Sequence, residues 1–299
     1  MQTYTPDTLT INSNREDFQL TSGLWSGRSL YDLYSEAFTP WDWHQPLFDY
    51  AKECGIQIFS SPFDRSAVDL LERLDAPAYK IASFEAIDIP LIKYVAQTKK
   101  PMIISTGMAT LQEIEEAVHA ALSGGCDQLA ILHCVSGYPA PASDYNLKTL
   151  SDLRARFNLP VGLSDHTLDN ATAIASVALG ASIIEKHVTL DRSAGGPDDS
   201  FSLEASELTQ LCDGVRTAWH ALGQIDYSRK SSEKGNMKFR RSLYFVDDLD
   251  SGEIIEEHHI RSIRPGYGLP PKFFDEIIGK KVVVDVFRGT AIAWEHLEK

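Results

Sequence analysis

Gly162-Leu163-Ser164-Asp165-His166-Thr167 and Ile183-Ile184-Glu185-Lys186-His187-Val188-Thr189 decide the fold. Each is a short apolar run, the pattern of a buried strand, and each closes on a histidine. Between them Asn170–Leu179 is Ala-rich, with Asp169 as a cap and Gly180 as a stop, and reads as a helix. Strand, helix and strand at this spacing make a parallel βαβ unit, whose two strands end on the same side. The unit predicts His166 and His187 side by side, close enough to share a metal ion.

The same period extends outward. Apolar runs begin at Ile56, Ala78, Met102, Leu129, Val161 and Ile183. They are apolar on nearly every residue, which suits strands buried on both faces of a parallel sheet. The segments between them carry helix signals. Thr39-Pro40-Trp41-Asp42 offers an N-cap and a proline at the first helical position, with Gly55 as the stop. Thr110-Leu111-Gln112-Glu113 has the capping-box pattern, and Gly124-Gly125 ends that helix. Leu147, Leu150, Leu153 and Phe157 form one apolar stripe, and Leu208, Leu211, Val215, Trp219 and Leu222 another. Core packing is the expected use of each.

Alternation at this period means a (β/α)8 barrel or an open doubly wound sheet. Polar residues close every run: Ser60-Ser61, Ser83 with Glu85, Ser105-Thr106, Ser136, Ser164-Asp165-His166, and His187 with Thr189. A ring of such strand ends favours the TIM-type barrel, which keeps its chemistry there. Six runs fall short of eight strands. Gln2-Thr3-Tyr4-Thr5 reads as the end of one more, so the barrel is expected to lack its first strands. Residues 1–223 make this barrel, the polar stretch 224–237 reads as a linker, and residues 238–299 as a small β-rich domain.

A net charge of −14 on 299 residues argues against nucleic-acid binding. It leaves any anionic substrate to local cations and backbone amides. No membrane-spanning run and no secretory leader open the chain, which predicts a cytoplasmic protein. Cys54, Cys126, Cys134 and Cys212 lack ligand spacing and read as buried thiols.

A bare histidine pair serves two readings: ligation of Mn²⁺, Fe²⁺ or Zn²⁺, or rings hydrogen-bonded to neighbouring carbonyls. Asp198 and Glu185 are candidates to complete a metal sphere or to orient a bound water. His133, inside an apolar run, reads as a satisfied core residue. Lys80 is expected on a buried strand and needs an anion or carboxylate partner. Alternation sets Lys80, Ala82 and Phe84 on one face, with Ile81, Ser83 and Glu85 on the other. With Ser61, Ser83, Ser105 and Ser164, Lys80 suits a phosphate; the alternative is that the serines only fill barrel layers.

Phe59-Ser60-Ser61-Pro62-Phe63-Asp64, Tyr79-Lys80-Ile81-Ala82-Ser83-Phe84-Glu85, Ser105-Thr106-Gly107-Met108, His133-Cys134, Tyr138-Pro139, Gly162–Thr167 and Glu185-Lys186-His187 together resemble the sialic acid synthase family. Those enzymes condense phosphoenolpyruvate with an amino sugar. Arg264-Pro265-Gly266 resembles the antifreeze-like (SAF) domain that ends them. Leu30–Tyr34, Glu36–His44 and Gly195–Leu203 are similar to the pseudaminic acid synthase branch, whose sugar is of the 2,4-diacetamido-2,4,6-trideoxy-altrose type. The neuraminate and legionaminate synthases are the alternative branches.

The resemblance implies His166 and His187 as ligands of Mn²⁺, with Mg²⁺ or Co²⁺ as substitutes. It implies Gln2, Lys80, Ser61, Ser83, Ser105, Ser136 and Ser164 around phosphoenolpyruvate, and Glu85, Tyr138 and Asp198 at the reacting sugar end. Arg264 resembles an arginine that reaches a partner subunit's barrel, which implies a domain-swapped homodimer. Two departures bear on this. Ser136 stands where neuraminate synthases carry asparagine, which weakens one phosphoenolpyruvate contact. The family's opening strands, with their Asn-His-Asn stretch and Lys-x-Gln, are represented by Gln2 alone. A truncated start, weak or absent activity in this chain, and turnover restored by an extended one are the corresponding expectations, and a non-catalytic dimerising remnant is the alternative.

Overall fold

The apolar runs become parallel strands in the computed structural model, which describes residues 1–299 and divides into two units, Met1–Gly223 and Gln224–Lys299. The first unit opens with β1 (Gln2–Thr3), α1 (Pro6–Leu9), α2 (Leu30–Ala37) and α3 (His44–Glu53). It continues through β2 (Ser61–Pro62), α4 (Arg65–Arg73), β3 (Tyr79–Ile81), α5 (Ile89–Ala96), β4 (Met102–Ser105) and α6 (Leu111–Gly124). β5 (Leu129–Cys134), α7 (Thr149–Phe157), β6 (Val161–Asp165), α8 (Ala171–Ala178), β7 (Ile183–Lys186) and α9 (Ala205–Leu222) complete it.

β3 to β7 form one parallel sheet in chain order. β1 pairs in parallel with β2, and a Ser60–Tyr79 bridge carries the array on to β3. Seven strands therefore follow the order of a (β/α)8 barrel, with β1 and β7 as its edges. Tyr79, Ile81, Met102, Ile104, Ile131 and Val161 pack against Leu71, Ile92, Val95, Val118 and Leu150 of the helices in one core. Gly162 lets β6 lie close against β7: a Cβ there would stand 2.4 Å from the Ile183 carbonyl oxygen.

Several local expectations shift. The second strand is Ser61–Pro62, with Ser60 bridging to Tyr79 of β3, and residues 56–59 of the apolar run form no strand. β3 stops at Ile81, and Ser83–Glu85 turns into a 3₁₀ helix, so the alternation ends there and Phe84 is exposed. Thr39 does not cap; a 3₁₀ turn, Trp41–Trp43, leads into α3 behind Pro40. The Thr110–Glu113 capping box forms, and Gly125 takes the left-handed conformation that closes α6 (φ +111°). In α9, Leu208, Leu211 and Val215 meet Ala173 and Ile174 of α8, but Trp219 is 63% exposed. An eighteen-residue helix is about 27 Å long and its eight-residue neighbour about 12 Å. The stripe therefore outruns its cover. All four cysteines are free, but only Cys126 and Cys134 are buried. Cys54 caps the end of α3 and Cys212 lies off the packed face of α9.

The second unit begins with 3₁₀ turns over Ser231–Phe239, which take up part of the stretch read as a linker. β8 (Ser242–Phe245) pairs antiparallel with β9 (Ile260–Ile263), and α10 (Phe274–Ile277) follows. Leu243, Phe245, Ile255, Ile260, Ile277, Ile292 and Leu297 make its core. The run at Lys281–Val286 contributes single bridges only, to Ile254, Leu297 and Leu249. Ser242 fixes the Arg264–Gly268 loop: its hydroxyl donates to the Pro265 carbonyl (2.7 Å) and accepts from the Gly268 N–H (2.9 Å). No helix of the chain is long and apolar enough to cross a membrane.

Candidate active site

Strand register builds the centre of the site. Ser164 sits opposite Glu185 and Asp165 opposite Lys186 across β6 and β7. The next residue on each strand is a histidine, and the rings of His166 and His187 lie 5.3 Å apart. Tyr145 and Ala140 hold the His166 backbone. Its N–H donates to the buried Tyr145 hydroxyl (2.6 Å), and its carbonyl accepts from the Ala140 N–H (3.1 Å). Its ring Nδ1–H donates to the Val135 carbonyl (2.8 Å). A carbonyl on Nδ1 leaves the Nε2 lone pair free, the arrangement that orients an imidazole for a metal. The hydrogen-bonded reading thus holds for His166, and that bond leaves its Nε2 open.

His187 Nδ1 lies 3.5 Å from an Asp198 carboxylate oxygen. No three His, Cys, Asp or Glu side chains converge in a metal-holding group. Two imidazoles fit a divalent ion only if water or substrate oxygens supply its other ligands. Glu185 does not join them. Its carboxylate accepts from Ser164 (2.7 Å) and pairs with Lys80 (3.4 Å). Burial by itself raises the Glu185 carboxyl, but the Lys80 ammonium and Ser164 outweigh this and hold it below the usual carboxylate range.

Lys80 is 5% exposed and has the carboxylate partner its burial requires. Ser61, Ser83, Ser105 and Ser164 are buried at the neighbouring strand ends, and the Ser105 hydroxyl has no hydrogen-bond partner. A Cβ on Gly107 would stand 2.2 Å from the Ser136 hydroxyl and 2.8 Å from that of Ser83. The Ser83 and Ser136 hydroxyls therefore pack directly on Gly107, where no side chain would fit without displacing them. Gln2 lies on β1 at the register position of Ser61, with its side chain exposed.

On the other side of the histidines the Tyr138 ring packs 4.5 Å from His166, 6.1 Å from His187 and 5.3 Å from Phe201. Glu85 is half-buried, with one carboxylate oxygen lacking any partner. Burial pushes its carboxyl up to about 7. His133 is a satisfied core ring: its Nε2–H donates to the Tyr145 carbonyl. Arg264 is exposed in the second unit.

Of the residues singled out from sequence, His166, His187, Tyr138 and Asp198 form one contact group, and Lys80, Ser164 and Glu185 another. Ser83 and Ser136 meet over Gly107. Four contributors carry no local sequence signal. Tyr145 and Lys186 act through partners about twenty residues away, Phe201 lies beyond the strands, and Trp25 meets Pro197 through a hydrogen bond spanning 172 positions.

The chain matches the NeuB family over residues 1–227 and the SAF domain over residues 240–298. It is 44% identical to a pseudaminic acid synthase of Campylobacter jejuni across 294 residues, covering 98% of this chain and 85% of that protein. A Helicobacter pylori pseudaminic acid synthase is 38% identical across 301 residues, covering 100% and 88%. Among solved structures, an N-acetylneuraminic acid synthetase from Leptospira borgpetersenii, in complex with citrate, superposes with a TM-score of 0.69 at 29% identity. That match covers 80% of this chain and 79% of the other.

Proposed function

The chain belongs to the NeuB family, and we propose that it condenses phosphoenolpyruvate with 2,4-diacetamido-2,4,6-trideoxy-altrose, giving pseudaminic acid and phosphate. One observation carries the reading: a buried lysine with its serines and a histidine pair share one rim of parallel strands, bridged by Ser164 and Glu185. An anion held at Lys80 on β3 and a carbonyl held at the ends of β6 and β7 face each other across the strand ends, as the Lys80–Glu185 pair already does. The pseudaminic branch also rests on the 38–44% identity to proteins of that name.

In this reading Lys80, Ser61, Ser83, Ser105, Ser136 and Ser164 bind phosphoenolpyruvate, and Gln2 borders them. The anion draws Lys80 from Glu185. C3 of phosphoenolpyruvate attacks the aldehyde carbon of the open-chain sugar; a C–C bond forms and the carbonyl oxygen gains a proton. Water then adds to C2, the C2–O bond to phosphorus breaks, and inorganic phosphate leaves a 2-keto acid. Glu85, whose carboxyl stands at about 7, holds or releases a proton at neutral pH. Asp198 orients His187, and Tyr138 backs both imidazoles. His166 and His187 would hold a divalent ion, Mn²⁺ foremost, which would supply Lewis-acid polarisation of the sugar carbonyl. The reading extends to a homodimer, the state tied to Arg264; sedimentation of the chain and of Arg264→Ala tests it.

The deciding experiment measures phosphate release with Mn²⁺, phosphoenolpyruvate and three sugars: the altrose above, N-acetylmannosamine, and the diacetamido sugar of the legionaminate type. Release with the altrose foremost, abolished by a chelator and restored by Mn²⁺, is expected. Preference for another sugar overturns the branch, and release that is indifferent to chelation overturns the metal.

A further inference from the structure

Residues 19–29 form a hairpin. Gln19 and Ser29 bridge, the Leu20 N–H donates to the Arg28 carbonyl (2.8 Å), and the Gly27 N–H donates to the Leu20 carbonyl (2.7 Å). Gly23 and Gly27 take positive φ (+81° and +88°), which lets the tip turn tightly. Most of the tip is exposed, yet Trp25 turns back. Its indole N–H donates to the Pro197 carbonyl (3.0 Å), and its ring lies 6.0 Å from Tyr138. Pro197 immediately precedes Asp198, the carboxylate facing His187.

We propose that Trp25 is a specificity-determining residue: with Tyr138 and Phe201 it forms an apolar wall beside the histidine pair that favours an amino sugar rich in acetamido methyls and deoxy carbons over a hydroxyl-rich one. The inference rests on the sugar-condensing reading and names what that site selects. Its basis is what Trp25 has left to offer. The only polar atom of the indole is spent on the Pro197 carbonyl, so the ring gives a ligand apolar surface alone. The nearest cation on the hairpin, Arg28, is held by Glu36 at 2.6 Å. A sugar hydroxyl turned to the Trp25 ring, or to Phe201 behind it, loses water without gaining a partner, whereas a methyl buries area favourably.

Binding separates this from turnover. The alditols obtained by reducing 2,4-diacetamido-2,4,6-trideoxy-altrose and N-acetylmannosamine lack the aldehyde and do not react. Each is titrated calorimetrically into the wild-type chain, Trp25→Ala and Trp25→Phe with phosphoenolpyruvate present; phosphoenolpyruvate is also titrated alone. Trp25→Ala is expected to weaken the diacetamido alditol by about ten-fold or more and the mannosamine alditol by less than about three-fold, with Trp25→Phe in between. Phosphoenolpyruvate affinity is expected to stay unchanged. Equal losses for both alditols, a parallel loss for phosphoenolpyruvate, or no binding of the diacetamido alditol to wild type overturns the wall. Trp25-dependent alditol binding in a chain that releases no phosphate from any sugar overturns the reaction and keeps the wall.

Discussion

Asp165 and Lys186 form an ion pair shut away from solvent, 3.1 Å apart, with side chains 0% and 3% exposed. They are register partners, and each immediately precedes one histidine of the pair. Lys186 also donates to the carbonyls of Thr167 (2.6 Å) and Asp169 (3.1 Å), while Asp165 accepts from the Thr167 N–H (2.9 Å). The backbone on both sides of His166 is thereby tied to the strand that ends in His187.

Removing one partner leaves a buried charge alone. Lys186→Met is expected to cost about 3–5 kcal/mol in chemical denaturation, and the double change with Asp165→Leu markedly less. If the single and double variants match, the pair does not couple the strands.

Gly107→Ala puts a methyl where the Ser83 and Ser136 hydroxyls now converge. If those hydroxyls bind phosphoenolpyruvate, displacing them costs on the order of 100-fold in kcat/KM for that substrate. Sugar KM changes little, while the overpacking itself costs about 1–3 kcal/mol in chemical denaturation. A variant with wild-type phosphoenolpyruvate kinetics puts the anion elsewhere.

Tyr145→Phe deletes the acceptor of the buried His166 N–H. The expected cost is about 1–3 kcal/mol of stability, with metal affinity falling alongside if His166 is a ligand. Denaturation curves and Mn²⁺ titration measure the two effects separately.

Glu85 links stability to pH. Burial raises its folded carboxyl to about 7 from an ordinary value of 4.5. Between those values the folded chain holds a proton that the unfolded chain has released, so this group's contribution to stability falls as pH rises, and the loss is complete above about 7. Glu85→Gln is expected to flatten that slope in denaturation midpoints taken from pH 5 to 8. If Glu85 acts as the protonated form, the wild-type rate also declines above pH 7 and the variant loses that limb. A slope unchanged in the variant assigns it to another group.

The barrel was legible because parallel strands and their covering helices each write a local period. Thr110 with Glu113 and Gly125 marked both ends of α6, and the histidines read as strand-end neighbours. Strand ends are where local reading slips: β2 begins at Ser61, beyond most of its apolar run, and Ser83 leaves the pleat for a 3₁₀ turn. Trp219 looks like core because its helix carries the stripe, yet nothing in its neighbourhood announces that α8 is too short to reach it. The supports of the site, Tyr145 under His166 and Trp25 on Pro197, are contacts between distant segments and have no period.

The strand order from β3 to β7 also sets how the chain assembles. Each new strand docks on the one made just before it, so a chain leaving the ribosome always meets an edge already waiting. Loop closure between consecutive strands stays short at every step, which limits its entropy cost. The exception is β1, which must wait for Ser61 before it has any partner. That wait is the longest between neighbouring strands of the array.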